Sequence, residues 1–324
     1  MRSQKSEVRS QNTEATAEKG FNSLTLAPWY LTLNKKGSAL IIVLLIVAIL
    51  TGLVVEFAYE VYIGTSALSN WQNAQKASLL SKSGQTLSLN YIKNLAGRSY
   101  TSMSDMDMPD EIMPSQLRNE EQGSLKIKTI DENSKFNING IIYPNGMTNE
   151  NALLSLKKLF EYLNINPSLA LSIADWMDPD AEPRLSNSEY NAKNLYLWSI
   201  DELKLIRGMD HKTFELIKPF ITVYGIGLIN INTAEAPVLT ALHENMTEAL
   251  AKKILDYRES SPFENKGQIV KVSGMEGVGM QIQNLITVKS SDFRIVASAS
   301  VHKIIRDIES VINTSGDIEY WREQ

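Results

Sequence analysis

The sequence predicts an α+β protein: a long N-terminal α-helix that crosses a membrane, an antiparallel sheet, and a large all-α region inserted into that sheet. Three observations carry the prediction. An uncharged apolar run, Ser38–Val55, passes into a stretch whose large apolar residues keep a helical spacing to about residue 95. Segments of alternating polarity flank a helical region, at 123–138 and 292–321. Inside that region a set of four landmarks occurs twice in the same order.

Length and composition set the frame. A chain of 324 residues exceeds what one small core organises, and 43% hydrophobic with 21% charged residues excludes a multi-span membrane protein. The absence of cysteine removes disulfides, thiolate metal sites and cysteine nucleophiles. His211, His243 and His302 are widely spaced, which leaves little for a histidine metal site or a hydrolytic triad, so a non-enzymatic protein is expected.

The first element is the stem. As a helix, the 18 residues Ser38–Val55 cover about 27 Å, close to the apolar thickness of a bilayer. Lys35 and Lys36 precede the run, whereas no Lys or Arg occurs from Gly37 to Gln75, which puts the N-terminus on the cytoplasmic side and the body outside the inner membrane. Leu68, Trp71, Leu79, Leu87, Tyr91 and Leu95 then fall at spacings that keep them on one helix face. Residues 1–34 are mostly polar and read as disordered.

After a Met-, Asp- and Pro-rich loop at 101–120, Leu125, Ile127 and Thr129 alternate with lysines, a turn lies at 132–134, and Phe136 and Ile138 resume the pattern. Three further strands follow at the C-terminal end, DFRIVASASV, KIIRDIESVI and DIEYW. One antiparallel sheet packed on the amphipathic half of the stem is the expected result. The repeat lies between. Its first copy reads FNIN (136–139), IADWMD (173–178), SIDELKLIRGMD (199–210) and KPFITV (218–223); its second reads ININ (229–232), ILDYRE (254–259), KGQIVKVSGME (266–276) and QNLITV (283–288).

Copy one is longer, and part of the excess is the acidic segment DWMDPDAEPRLSNSEY, 175–190. Asp178, Asp180, Glu182 and Glu189 share a loop with two prolines. Closely spaced carboxylates repel unless a hard cation sits among them, and calcium, with six to eight oxygen ligands, suits such a loop. It is not an EF-hand, since Pro183 stands where that loop needs glycine. A solvated acidic loop, with Asp175 or Asp178 capping a helix and Arg184 pairing with one carboxylate, is the other reading of the same residues.

The junction Lys35-Lys36-Gly37-Ser38-Ala39-Leu40 resembles a prepilin-type signal, cut between Gly37 and Ser38 on the cytoplasmic side with the apolar run retained. Most such subunits carry Glu at the fifth mature residue; here Ile42 stands there, which suits a terminal subunit with nobody above it. With D-W-x-D-x-D-x-E-P-R at 175–184, the chain resembles the minor pseudopilin K family of type II secretion systems. The resemblance implies a leader (1–37), a stem helix (38–95), the first part of a pilin head (96–140), an inserted α-helical domain of the SAM or helix-hairpin-helix kind (141–289) and the C-terminal strands of the head (290–324). It implies calcium at Asp178, Asp180 and Glu182, with Glu189 a weaker match. It also implies a non-catalytic role at the pseudopilus tip, initiating and capping assembly for protein export. The implied partners are the I- and J-type minor pseudopilins, the inner-membrane secretion platform and the prepilin peptidase.

Two alternatives share these residues. One is a tip subunit of a type IV pilus. The other is a membrane-anchored DNA receptor, because GLININTAEAPVL and AKKILDYRES resemble helix-hairpin-helix units. Yet LHENMTEALA lacks the glycines that let backbone N–H groups approach phosphate, and without its first 37 residues the chain holds 26 Lys and Arg against 34 Asp and Glu. No nucleic-acid partner is expected.

Overall fold

The computed structural model describes residues 35–109, 123–180, 182–186, 188 and 191–324; the leader up to residue 34 and Glu189 lie outside them. Helix α1 spans Lys35–Leu95. It contributes to two units, residues 1–64 and residues 65–324. In the first, Leu40–Val55 are apolar on every side and exposed, and this helix is long and apolar enough to cross a membrane. The fold is α+β, with a long N-terminal apolar helix, an antiparallel sheet and further helices.

In the second unit the last part of α1 lies on the sheet, but through a different face from the large apolar stripe. Ala77, Ser78, Ser81, Gly84 and Ser88 are buried, followed by Tyr91, Ile92 and Leu95. Small side chains bring the helix close. A Cβ at Gly84 would lie 2.9 Å from Leu125 Cδ1 and 3.1 Å from Ala297 Cβ. Leu68, Trp71 and Leu79 are exposed instead, the last at 65%. Spacings of 3, 4 and 8 drift around a 3.6-residue helix, so the upper members of that stripe have rotated away from the face that Tyr91 and Leu95 share.

The sheet is built from β1 (Ser124–Asp131), β6 (Asp292–Val301), β7 (Ile304–Asn313) and β8 (Ile318–Glu323), antiparallel in the order β1-β6-β7-β8. Along β6 every second residue is buried, and Phe293 and Ile295, with Ile312 of β7, pack against Tyr91, Ile92 and Leu95. Residues 132–291 depart between two strands that are hydrogen-bonded neighbours, from Ser124↔Ser300 to Asp131↔Phe293.

Each copy of the repeat closes with its own short parallel ladder. In copy one β2 (Phe136–Asn137) pairs with β3 (Ile221–Thr222), enclosing α2 (Glu150–Tyr162), α3 (Leu169–Met177) and α4 (His211–Ile217). In copy two β4 (Ile229–Asn230) pairs with β5 (Ile286–Thr287), enclosing α5 (Ala236–Ala241), α6 (Glu248–Ser260) and α7 (Val278–Ile282). Phe136 and Ile138 therefore belong to the insert and not to a second strand on β1. Three residues between β1 and β2 form a 3-10 turn capped by Asp131, which turns the chain out of the sheet. The asparagines of the two Asn-Ile-Asn landmarks act alike. Asn139 donates to Leu197 O and accepts from Leu197 N, at 2.9 Å each, and Asn232 does the same with Phe263 at 2.9 and 2.8 Å. One apolar core runs through both copies, with Phe160, Phe214 and Phe263 fully buried.

Where the insert leaves and rejoins the sheet, two buried carboxylates gather donors from several elements. Asp131 accepts from Asn133 N at 2.8 Å, from Ser290 Oγ and Thr233 Oγ1 at 2.5 Å each, and from Asn230 Nδ2 at 3.3 Å. Burial pushes its carboxyl up to about 6, against the pull of those donors. Glu132 accepts from Lys135 Nζ at 2.8 Å, from Arg294 Nε at 2.7 Å and from Thr222 Oγ1 of the insert. Burial opposes its ionisation, but Lys135 and Arg294 outweigh burial and hold it below its ordinary 4.5. Glu132 therefore contributes stability that is present above pH 4.5 and is lost on acidification below that value. Glu132→Gln is expected to cost about 3 kcal/mol at pH 7, the penalty for breaking a buried pair. Urea unfolding of the detergent-solubilised chain checks this. The gap between wild type and variant should narrow below pH 4.5, and an equal gap at pH 7 and pH 3.5 would contradict the assignment.

Candidate functional site

The acidic loop begins where α3 ends. Eight of the nine residues of LALSIADWM are buried, so Asp175 lies inside an apolar segment with no exposure of its own. Pro179 cannot continue the helix and pushes the residue before it into an extended conformation, which Asp178 adopts at ψ 155° while its N–H bonds Ala174 O. Asp178 is 1% exposed.

One arginine organises the pair. Arg184 Nη1 donates to Asp175 Oδ1 and to Asp178 Oδ2, both at 2.5 Å. Its backbone N–H donates to Asp175 Oδ2 at 2.8 Å, and its Nη2 reaches Thr148 Oγ1 at 2.7 Å. Ser188 Oγ also donates to Asp175 Oδ2. Among the described residues, Asp178 Oδ1 is left buried without a hydrogen-bond partner. Burial raises the Asp178 pKa; Arg184 opposes the shift, and Asp180 and Asp175 add to it. The chain returns at Lys193 and Asn194, whose N–H groups bond Trp176 O at 3.1 and 2.9 Å.

Of the four carboxylates expected to bind a cation, Asp178 is buried, whereas Asp180 and Glu182 are exposed. Asp180 Oδ1 accepts from Glu182 N at 2.8 Å in a local turn. The structure thus brings together Asp175 and Asp178, through Arg184, and does not gather Asp180 and Glu182 around them. Among the described residues no three acidic or imidazole groups converge into a ready metal cage. What has capacity left for a hard cation is the Asp178 Oδ1 atom, buried and without a hydrogen-bond partner among the described residues. Asp175 was legible only as a cap, although a carboxylate inside an apolar helical run already signals a buried partner.

The other candidate positions are simpler. Gly37 lies in the first turn of α1 and is exposed, and a Cβ there would meet nothing within 4 Å, so this helix does not itself require glycine. Ile42 is exposed on the same helix. In the α5–α6 hairpin, Lys158 Nζ of α2 donates to the carbonyls of His243, Glu244 and Met246 at 2.5, 3.0 and 2.7 Å. The N–H of Met246 bonds His243 O, and that of Asn245 bonds His243 Nδ1. The turn that would grip a phosphate in a nucleic-acid module is thus bonded within the chain.

The comparisons agree with this architecture. Two family models, each described as type II secretion system protein K, match residues 134–225 and 229–289, which are the two copies of the repeat. The chain is 26% identical over 257 residues to type II secretion system protein K of Pectobacterium carotovorum, covering 69% of this chain and 76% of that one. It is 24% identical over 261 residues to the protein of the same name from Pseudomonas aeruginosa, covering 74% and 77%. Among solved structures, the fold is similar to a chain of the GspK-GspI-GspJ complex from the enterotoxigenic Escherichia coli type 2 secretion system, with TM-score 0.63 and 21% identity over 80% of this chain and 99% of that chain. Through both copies of its repeat, the chain is similar to the type II secretion system protein K family.

Proposed function

We propose that the chain is a non-catalytic minor pseudopilin at the tip of the type II secretion pseudopilus, where it initiates and caps assembly for protein export across the outer membrane. The observation that carries the reading is the build of the head: a sheet on a long apolar helix, opened between β1 and β6 by a bulky two-copy insert. A subunit with such a bulk on its head obstructs the stacking of another above it. Ile42 fits the same position, since a tip subunit has no neighbour overhead whose free amine a carboxylate would neutralise. The N-terminus lies in the cytoplasm, the helix crosses the inner membrane, and the head is periplasmic. The partners are I- and J-type minor pseudopilins, the inner-membrane platform and the prepilin peptidase. A type IV pilus tip or a DNA receptor has less support, the latter because the hairpin of copy two spends its polar groups on Lys158 and on itself.

Processing at Gly37-Ser38 is supported by a glycine that sterics do not demand. Protein extracted from membranes of cells with the secretion system is expected to begin at Ser38 on N-terminal sequencing, and Gly37→Leu to accumulate with its leader attached. Wild type that retains residues ahead of Ser38 would remove the pseudopilin reading. For partners, co-expression with I- and J-type subunits is expected to yield a ternary complex by light scattering, and a chain that elutes alone at micromolar concentration contradicts it.

Calcium is the cation proposed for the acidic loop, held by Asp178, Asp180 and Glu182, with Glu189 of the same segment as a further ligand. Bound there it would neutralise the loop's charge and fix it against α3. At calcium 100-fold above the dissociation constant, the stabilisation is about 2.7 kcal/mol. For a body of this size that raises the melting temperature by about 5 °C or more. Asp178→Ala combined with Asp180→Ala is expected to abolish the rise, and identical wild-type melts in calcium and in chelator would discard the site.

A further inference from the structure

We propose that Arg184 is the positioning residue of the cation site: a built-in counter-ion that locks Asp175 and Asp178 and leaves a single oxygen, Asp178 Oδ1, for an incoming divalent cation. The inference rests on the calcium reading and goes further, because it assigns a role to a residue that contributes no ligand.

The accounting of lone pairs leads to it. Both Asp175 oxygens are committed, Oδ1 to the guanidinium and Oδ2 to the Arg184 N–H and the Ser188 hydroxyl. Asp178 Oδ2 is committed to the same Nη1. Asp178 Oδ1 has no partner among the described residues, inside a residue that is 1% exposed. A buried acceptor without a donor is costly, and a cation removes that cost. Arg184 does not have to leave for the cation to bind, since it occupies the other oxygen.

The guanidinium is itself anchored at its far end. Nη2 holds Thr148 Oγ1, and Thr148 bridges Ile142 across the turn that precedes α2. The orientation of Asp178 is therefore set by a chain of contacts running from that turn through a planar fork to the end of α3. Lysine offers one point charge and cannot span two carboxylates and a hydroxyl in fixed directions. Groups that orient a ligand carboxylate in this way govern metal affinity without touching the metal. Two carboxylates one helical turn apart also repel, and the shared Nη1 cancels that repulsion before any ion arrives.

The test is calcium titration calorimetry on the full chain in detergent, with melting curves recorded in chelator for every variant. Arg184→Gln is expected to weaken calcium binding by about 10- to 100-fold. Thr148→Val touches only the outer end of the guanidinium and guards against misfolding of the first variant. It is expected to weaken calcium binding several-fold while its metal-free melting temperature stays at the wild-type value, a split that a merely structural role would not produce. Unchanged dissociation constants in both variants overturn the inference, as does tighter binding in Arg184→Gln, which would make the guanidinium a competitor of the cation. Wild type that binds no calcium fails the calcium reading itself and this inference with it, an outcome distinct from wild-type binding that the variants leave unaltered.

Discussion

The constraint on which the structure depends is the exit of the chain from its sheet at Asp131 and Glu132. Two adjacent carboxylates are buried there, and a buried carboxylate survives only if donors surround it. The donors come from both sides of the exit: Ser290 and Arg294 at the returning strand, Asn230, Thr233 and Thr222 from the insert. Arg294 also bonds Glu309 of β7 at 2.5 Å and lies 5.6 and 5.8 Å from the rings of Tyr224 and Tyr320. Insert and sheet are thereby fixed to one another at the point where the chain passes between them. Gly225 belongs to this joint, because at φ 78° a side chain is strained and a Cβ would lie 2.8 Å from Asp292 Oδ2.

The two copies of the repeat show how one scaffold is put to two uses. Asn139 and Asn232 make the same paired bonds in both copies, so the internal brace has been kept. Their companions differ. Asn137 turns inward to the carbonyls of Tyr224 and Gly225, whereas Asn230 turns out to Thr101, Ser290 and Asp131. The Asn-Ile-Asn landmark of copy two therefore joins the insert to the sheet, with Thr222 at the end of copy one, while the extra loop of copy one carries the acidic residues. In copy two the residue aligned with Asp178 is Glu259. Arg258, aligned with Met177, donates to Ile231 O and Ala234 O and stays structural.

What the sequence disclosed followed the range of each interaction. The stem, β1 and the three C-terminal strands were readable because their periodicities are local, and the repeat because order survives where identity has faded. The ladders β2–β3 and β4–β5 were not, since two residues are too few to show a period of two and their partners lie far along the chain. The face of α1 that meets the sheet was missed for another reason: a reading that follows large apolar residues overlooks serine, alanine and glycine, although close packing selects for small ones. At the acidic loop the residue types were legible and the geometry was not. Nothing in the spacing of Asp175, Asp178 and Arg184 distinguishes a shared guanidinium from three solvated charges.

The pairing of β1 with β6 has a consequence for how the molecule acquires its shape. Ser124 pairs with Ser300 and Asp131 with Phe293, so the whole insert lies in the loop that this pairing closes. Bringing such distant ends together carries an entropy penalty that grows with the length of free chain still to be closed. A collapsed insert shortens that free chain to almost nothing, because both of its ends emerge beside Asp131. The topology thus makes collapse of the insert lower the entropy penalty of closing the β1–β6 seam.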